Sequence, residues 1–397
     1  MRVSSSLAVA GASALLLVLT LVLSQPTVGV EASNSFSGAN SYFLWSLSDS
    51  DRKAHLSALS AAGVNVVRVF VVHVDAGNKG SSAQGTPDLE EWQVGNYQDT
   101  ILDRIDLLMK EARDYGVKLN LVFHDRYSLG VWQKDGYFYK YGSAEEFYTN
   151  PNAQADFDRR LQHILDHKNP YFNSRPWRDL GEVVWAFAIQ NEARGHMPDF
   201  HAPWTWHCGR AKLIRPLINQ TIYVTTGGGA DWADSYQDGN FACAEIDVIG
   251  VHNYDQSQSE VEYQLSAGVA KALSYKKRII YEEFGATGAQ QASVIGSQAD
   301  AANRLGVPFW PWEFVKCSGG DYEYYVGSAA WSVHQAKAAA ARNANSPFNW
   351  SGGGGGGGKK GDWQFCSASD QCADGCCSKQ YSNDGRYKCT PGGTQCI

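Results

Sequence analysis

The chain has 397 residues, 44% of them hydrophobic and 19% charged, which suits one large soluble domain with appendages. A net charge of −7 argues against nucleic acid or an anionic membrane as the main partner, because both are bound through clustered Lys and Arg. The 13 Trp and 20 Tyr permit a carbohydrate binder, since aromatic faces stack on the C–H faces of sugar rings, but do not require one.

Residues 1–32 read as a secretory signal peptide: Arg2, an apolar run over 7–23, then Val30-Glu31-Ala32 as a cleavage candidate. A retained membrane anchor is the competing reading, weakened by Ser13 and Thr20, and no other segment is apolar enough to span a bilayer. The predicted protein is therefore secreted, extracellular and monomeric, with no membrane contact after cleavage. Sequons at Asn219 and Asn349 fit export. Nine cysteines in an exported chain should mostly be paired, and six of them follow residue 365. Of Cys208, Cys243 and Cys317, the first two are the expected pair.

Short apolar runs at 40–47, 64–72, 118–124, 183–190, 221–226, 246–252, 278–282 and 307–312 read as strands. Between them, helical periodicity covers 51–62, capped by Asp49, then 101–115, 153–167, 261–274, 289–305 and the Ala-rich 328–345. Eight strands alternating with helices over 33–345 predict the α/β class and a (β/α)8 TIM barrel. An open doubly wound sheet would want a glycine-rich phosphate loop after its first strand, and residues 40–50 contain none. Gly227-Gly228-Gly229 reads instead as a turn that lets a ligand or helix approach closely.

In a barrel the C-terminal strand ends form the functional face. The strand VVWAFAIQNEAR stops on Gln190, Asn191 and Glu192, and a carboxylate there must find partners or sit in a cleft. Arg68 interrupts the second strand, His124-Asp125-Arg126 ends the third, His252-Asn253-Tyr254 the sixth and Glu282-Glu283 the seventh, while Trp310 and Trp312 lie on the eighth. Two carboxylates on different strands, among His, Tyr, Arg, Asn and Trp, match the needs of glycosidic bond cleavage. His124 reads as a hydrogen-bonded or sugar-contacting group rather than a metal ligand, and no metal or cofactor is expected. The loop 195–208, with His196, His201, Trp204, Trp206 and His207, reads as a sugar subsite rather than a zinc site. Trp92, Trp132, Tyr137 and Tyr139 lie in long loops where they can line a cleft.

Asn191-Glu192 ending the fourth strand and Glu283-Phe284-Gly285 ending the seventh resemble the signatures of the retaining family 5 glycoside hydrolases of clan A. Within that family, EEFYTNPNAQADFDRRLQHILDHKNPYF, WAFAIQNEAR, NVVRVFV and EEFGA are similar to the endo-β-1,4-mannanases. The resemblance implies Glu192 as the acid/base, Asn191 as the ligand of the sugar 2-hydroxyl and Glu283 as the nucleophile. It also implies Arg68 and Tyr254 as hydrogen-bond partners of the nucleophile, His252 near the acid/base, and Trp310, or alternatively Trp312, as the floor under the cleaved sugar. Glu282 is expected on the other face of its strand, because strand side chains alternate. Ala193 stands where the family usually has proline, a change in backbone shape rather than in the reacting groups.

Residues 346–362, with seven consecutive glycines, read as a flexible linker. Beyond it, 363–397 is too small for a hydrophobic core and reads as a disulfide-held six-cysteine module. The adjacent Cys376-Cys377 resembles cystine-knot miniproteins, which implies pairing of first with fourth, second with fifth and third with sixth. The sequence therefore predicts a secreted endo-β-1,4-mannanase with a polysaccharide substrate. An endo-β-glucanase of the same family and a non-catalytic wall-binding protein are the competing readings.

Overall fold

The computed structural model describes residues 33–195, 205–254, 257–316 and 321–350, with two short strands, Cys377–Ser378 and Lys388–Cys389. The signal segment, residues 351–362 of the linker, Cys317, and His196, His201 and Trp204 lie outside the described residues. So does the 363–397 module apart from those two strands, where Cys377 pairs with Cys389 and Ser378 with Lys388 in an antiparallel ladder.

Eight parallel strands close into a barrel in sequential order: β1 Ser37–Asn40, β2 Val64–Phe70, β3 Lys118–Val122, β4 Val184–Ala188, β5 Tyr223–Thr225, β6 Val248–His252, β7 Arg278–Phe284 and β8 Phe309–Pro311. Each is followed by a helix: α1 Asp49–Ala62, α2 Thr100–Tyr115, α3 Pro151–Asp166, α4 Thr205–Ile214, α5 Asp238–Ala242, α6 Gln258–Ser274, α7 Gln291–Leu305 and α8 Ala329–Ala341. The fold is the (β/α)8 barrel that the strand and helix alternation predicts.

Local sequence explains the boundaries. Asn150 caps α3 by accepting from the Asn152 amide, and Pro151 stands at its first position, where a missing N–H costs nothing. α1 and α2 each end on a left-handed glycine, Gly63 and Gly116. The cap of α1 is Ser48, not Asp49; its hydroxyl accepts from the Asp51 amide, while Asp49 pairs with Arg52 in the first turn. The first strand also lies ahead of the predicted run 40–47: β1 spans Ser37–Asn40 and meets that run only at Asn40. Leu44, Trp45 and Ser46 form a buried 3-10 turn, and Trp45 Nε1 donates to the Phe70 carbonyl at 2.9 Å. An apolar run of that length packs equally well as a strand or under a loop, so periodicity alone did not separate the two.

A disulfide joins Cys208 on α4 to Cys243 just past α5, the pair expected among the three cysteines of the main body. It closes a segment with a separation of 35 residues. Replacing both cysteines by serine should cost about 2–4 kcal/mol of stability, measurable as a lower denaturant midpoint with a steeper slope, because the unfolded chain loses its cross-link.

The strand register has one irregularity that matters below. Between β6 and β7, Val251 pairs with Tyr281 but His252 pairs with Glu283, so Glu282 is the extra residue of a bulge. Alternation breaks at a bulge, and Glu282 and Glu283 both reach the groups that line the barrel mouth.

Candidate active site

The C-terminal strand ends carry a buried cluster of three carboxylates and two cationic side chains. Arg68, fully buried on β2, donates through Nη1 to Glu283 Oε2 at 2.8 Å and to Asn40 Oδ1 at 3.2 Å. Its Nη2 donates to Asn191 Oδ1 at 2.6 Å and to the Gly227 carbonyl at 3.2 Å, and its Nε lies 3.6 Å from Glu282. Tyr254 donates to the other Glu283 oxygen at 2.8 Å. One guanidinium thus fixes Glu283 and Asn191 together, which a lysine could not do, lacking the planar fork.

Glu192 lies four residues past the end of β4, with its amide on the Gly227 carbonyl. Its φ of 43° is left-handed, a conformation that costs a residue with a Cβ about 1–2 kcal/mol and turns this carboxylate into the mouth. Tyr127 donates to Glu192 Oε2, and His252 Nδ1 lies 3.0 Å from Oε1. The same Nδ1 is 3.4 Å from Glu283 Oε2, and a carboxylate oxygen from each glutamate lies within 4.8 Å of the other. The structure therefore brings Glu192, Glu283, Arg68, Asn191, His252 and Tyr254 into one site.

Burial pushes the Glu283 carboxyl up and the adjacent Glu192 charge adds to it, against the pull of His252, Arg68 and Tyr254; the net shift is upward. Burial also pushes Glu192 up, but the His252 hydrogen bond and charge, the Tyr127 hydroxyl and Arg68 hold it below the usual carboxylate range. For His252, burial favours the neutral ring, yet the three surrounding glutamates raise its pKa to about 9. Glu192 and Glu283 are close enough that their protons belong to the pair.

Several predicted site residues lie elsewhere. Trp310 is fully buried inside the barrel, 5.3 Å from Trp185 and so tight against Gly38 that an added Cβ would meet its Nε1 at 2.1 Å. It has no face for a sugar. Trp312, the alternative, is half-buried at the rim and stacks on Tyr42 at 5.7 Å with an interplanar angle of 4°. His124 is also buried, with Nε2 2.6 Å from Asp135 and Nδ1 2.8 Å from Gln190 Nε2. Both ring nitrogens are thereby used, so His124 braces the loop after β3 rather than touching substrate. Trp206 and His207 lie buried on α4, where Trp206 packs on Phe157 at 5.6 Å. Tyr137 is likewise buried, donating to Glu90 at 2.9 Å, whereas Trp92, Trp132 and Tyr139 are exposed.

Sequence reasoning gave no role to Tyr127 or Asp125, and it placed Glu282 on the other face of its strand, which the bulge in β7 overturns. Asp125 accepts from Asn191 Nδ2 at 3.0 Å and so sets the amide orientation; the second Nδ2 hydrogen is not used by that bond. Tyr127 carries the exposed Trp132 on its ring at 3.9 Å, an aromatic surface beside Glu192. A polar pocket of about 180 Å³ is lined by His73, Glu91, Ser128, Lys134 and Asp135.

No family model matches the chain. Mannan endo-1,4-beta-mannosidase A of Aspergillus aculeatus is 25% identical over 303 residues, covering 68% of this chain and 75% of that protein. The chain is similar to endo-1,4-beta-mannanases. Mannan endo-1,4-beta-mannosidase 1 of Oryza sativa is 27% identical over 168 residues, 40% of this chain and 36% of the rice protein. Among solved structures, an endo-1,4-beta-mannanase from Rhizomucor miehei superposes with a TM-score of 0.66 at 18% identity, covering 78% of this chain and 95% of that one. The hyperthermostable endo-1,4-beta-D-mannanase of Thermotoga petrophila gives 0.61 at 15% identity over 77% and 99%. These structures share the barrel. The relatives and the paired carboxylates together support a glycoside hydrolase.

Proposed function

We propose that this chain is a retaining endo-β-1,4-mannanase, with Glu283 as nucleophile and Glu192 as acid/base. The observation that carries the mechanism is the separation of the two carboxylates, whose facing oxygens lie within 4.8 Å. Retaining pairs stand about 5–5.5 Å apart, whereas inverting pairs leave about 6.5 Å or more for a water. In the first step Glu283 attacks the anomeric carbon, the glycosidic C–O bond breaks, and Glu192 gives its proton to the departing oxygen. In the second step Glu192 takes a proton from water, the resulting oxygen attacks the same carbon, and Glu283 leaves as a carboxylate.

In the resting site the proton balance favours the reverse order, with Glu192 held low and Glu283 high. A sugar seated between them opposes that order. Its leaving oxygen accepts from a protonated Glu192, and its hydroxyls donate to an ionised Glu283, each favouring the state the first step needs. Three carboxylates, Glu192, Glu282 and Glu283, face two cations, Arg68 and His252. The negative excess suits a transition state in which the sugar becomes oxocarbenium-like. In this reading Asn191, held by Arg68 and Asp125, donates to the sugar 2-hydroxyl and Trp312 forms the floor; the two bonds that orient the Asn191 amide support the first of these roles.

Mannan as substrate rests on the names of the relatives. Export as the setting is supported by the Cys208–Cys243 disulfide, since such bonds persist outside the reducing cytosol. Reducing-sugar release from galactomannan should exceed that from carboxymethyl cellulose and laminarin. Preference for either glucan would overturn the substrate, and no hydrolysis of any of them would favour a wall-binding protein.

A further inference from the structure

Glu282 has no role in the double displacement, yet it is fully buried in the same cluster. Its Oε1 accepts from Asn120 Nδ2 at 2.9 Å, and its Oε2 lies 3.2 Å from His252 Nε2. The opposite ring nitrogen, Nδ1, faces Glu192 at 3.0 Å and Glu283 at 3.4 Å. A ring with ionised carboxylates at both nitrogens is satisfied as a two-donor imidazolium.

Two glycines are shaped around this pair. A Cβ on Gly250 would lie 2.1 Å from Glu282 Oε2, and one on Gly228 would lie 2.1 Å from His252 Nε2. Gly228 also takes a φ of +78°, which a residue with a side chain rarely adopts. The bulge in β7 completes the arrangement by turning Glu282 toward β3 and β6.

We propose that Glu282 is a positioning residue that acts through His252: its charge holds the ring with Nδ1–H aimed at the Glu192–Glu283 pair and thereby sets the pH range in which that pair works. This rests on the glycosidase reading of the same site. The charged groups facing His252 are Glu192, Glu282, Glu283 and Arg68. Glu282 itself is pushed up by burial but held below the usual range by Arg68, His252 and Asn120, so it is ionised at neutral pH. In the second chemical step Glu283 is esterified and carries no charge. An imidazolium beside Glu192 then keeps that carboxylate ionised to take the proton from water.

Removing one fixed negative charge weakens proton binding by every group around it. Glu282→Gln keeps the side-chain shape, so both limbs of its kcat/KM profile should move to lower pH, by about one unit for a charge this close. The loss should fall on kcat more than on KM, and Glu282→Asp should restore the wild-type profile. A Glu282→Gln enzyme with lowered stability and unshifted limbs would overturn the proposal. The wild-type His252 ring provides a test that needs no variant: its nitrogen NMR shifts should be those of an imidazolium at pH 7, and a neutral ring there overturns the proposal. Absence of glycosidase activity in the wild type would defeat the functional reading, while the ring measurement would still decide the Glu282–His252 arrangement.

Discussion

Glu283→Ala should lower kcat on mannan by about 10⁴-fold or more, the scale expected when a covalent nucleophile is removed. The variant should fold, because Arg68 keeps Glu282 at 3.6 Å and its bond to Asn191. Truncation opens a space beneath the anomeric carbon, and azide entering it should attack an activated aryl β-mannoside to give the α-azide. Glu192→Ala should behave differently. Its intermediate still forms with a good leaving group, and azide then attacks from the other face to give the β-azide. The opposite stereochemistry of the two rescued products separates nucleophile from acid/base. That distinction matters because the strand sequence alone did not choose between Glu282 and Glu283. Rescue of Glu282→Ala by azide with an α-azide product would move the nucleophile to Glu282.

The second large effect concerns Arg68→Ala. Arg68 is fully buried among Asn40, Asn191, Glu282, Glu283 and the Gly227 carbonyl, so its loss leaves two buried carboxylates without their fixed cation. Breaking a buried pair in this way costs about 3–5 kcal/mol, which should appear as a melting temperature roughly 10 °C lower. The penalty should depend on pH. Glu282 has a depressed pKa in the folded protein, so its pairing contributes stability above the unfolded carboxylate pKa and loses it as the pH falls through the folded one. Arg68→Ala should therefore be most harmful near neutral pH and least in acid. Arg68→Lys keeps the charge but not the fork, and should recover more stability than activity, because Asn191 and Glu283 are no longer held by one plane.

The barrel was readable because parallel strands buried on both faces give continuous apolar runs, and because polar residues cluster at their C-terminal ends. VVWAFAIQNEAR carried most of that information: its run is β4, and its polar end is the turn that presents Glu192. What the pattern did not carry was depth along the barrel axis. Trp310 and Trp312 are two residues apart, so a period of two puts them on the same side of the strand. Only the position of β8 in the barrel makes one an interior filler and the other a rim residue. Glu282 was misplaced for a related reason, since one extra residue in β7 leaves no mark on an apolar run yet redirects a carboxylate. Tyr127 sits in a 3-10 turn without periodicity, and its hydroxyl meets Glu192 only through tertiary packing. His124 looked like a substrate ligand because a polar ring at a strand end is the same signal whether it faces the cleft or, as here, Asp135 and Gln190.

The pairing of Glu192 with Glu283 as acid/base and nucleophile is tested most directly by the stereochemistry of hydrolysis. Proton NMR during the first minutes of mannohexaose cleavage should show the β-anomer of the new reducing end appearing first, with the α-anomer growing later by mutarotation. Initial release of the α-anomer would mean single displacement by water and would contradict a covalent intermediate on Glu283.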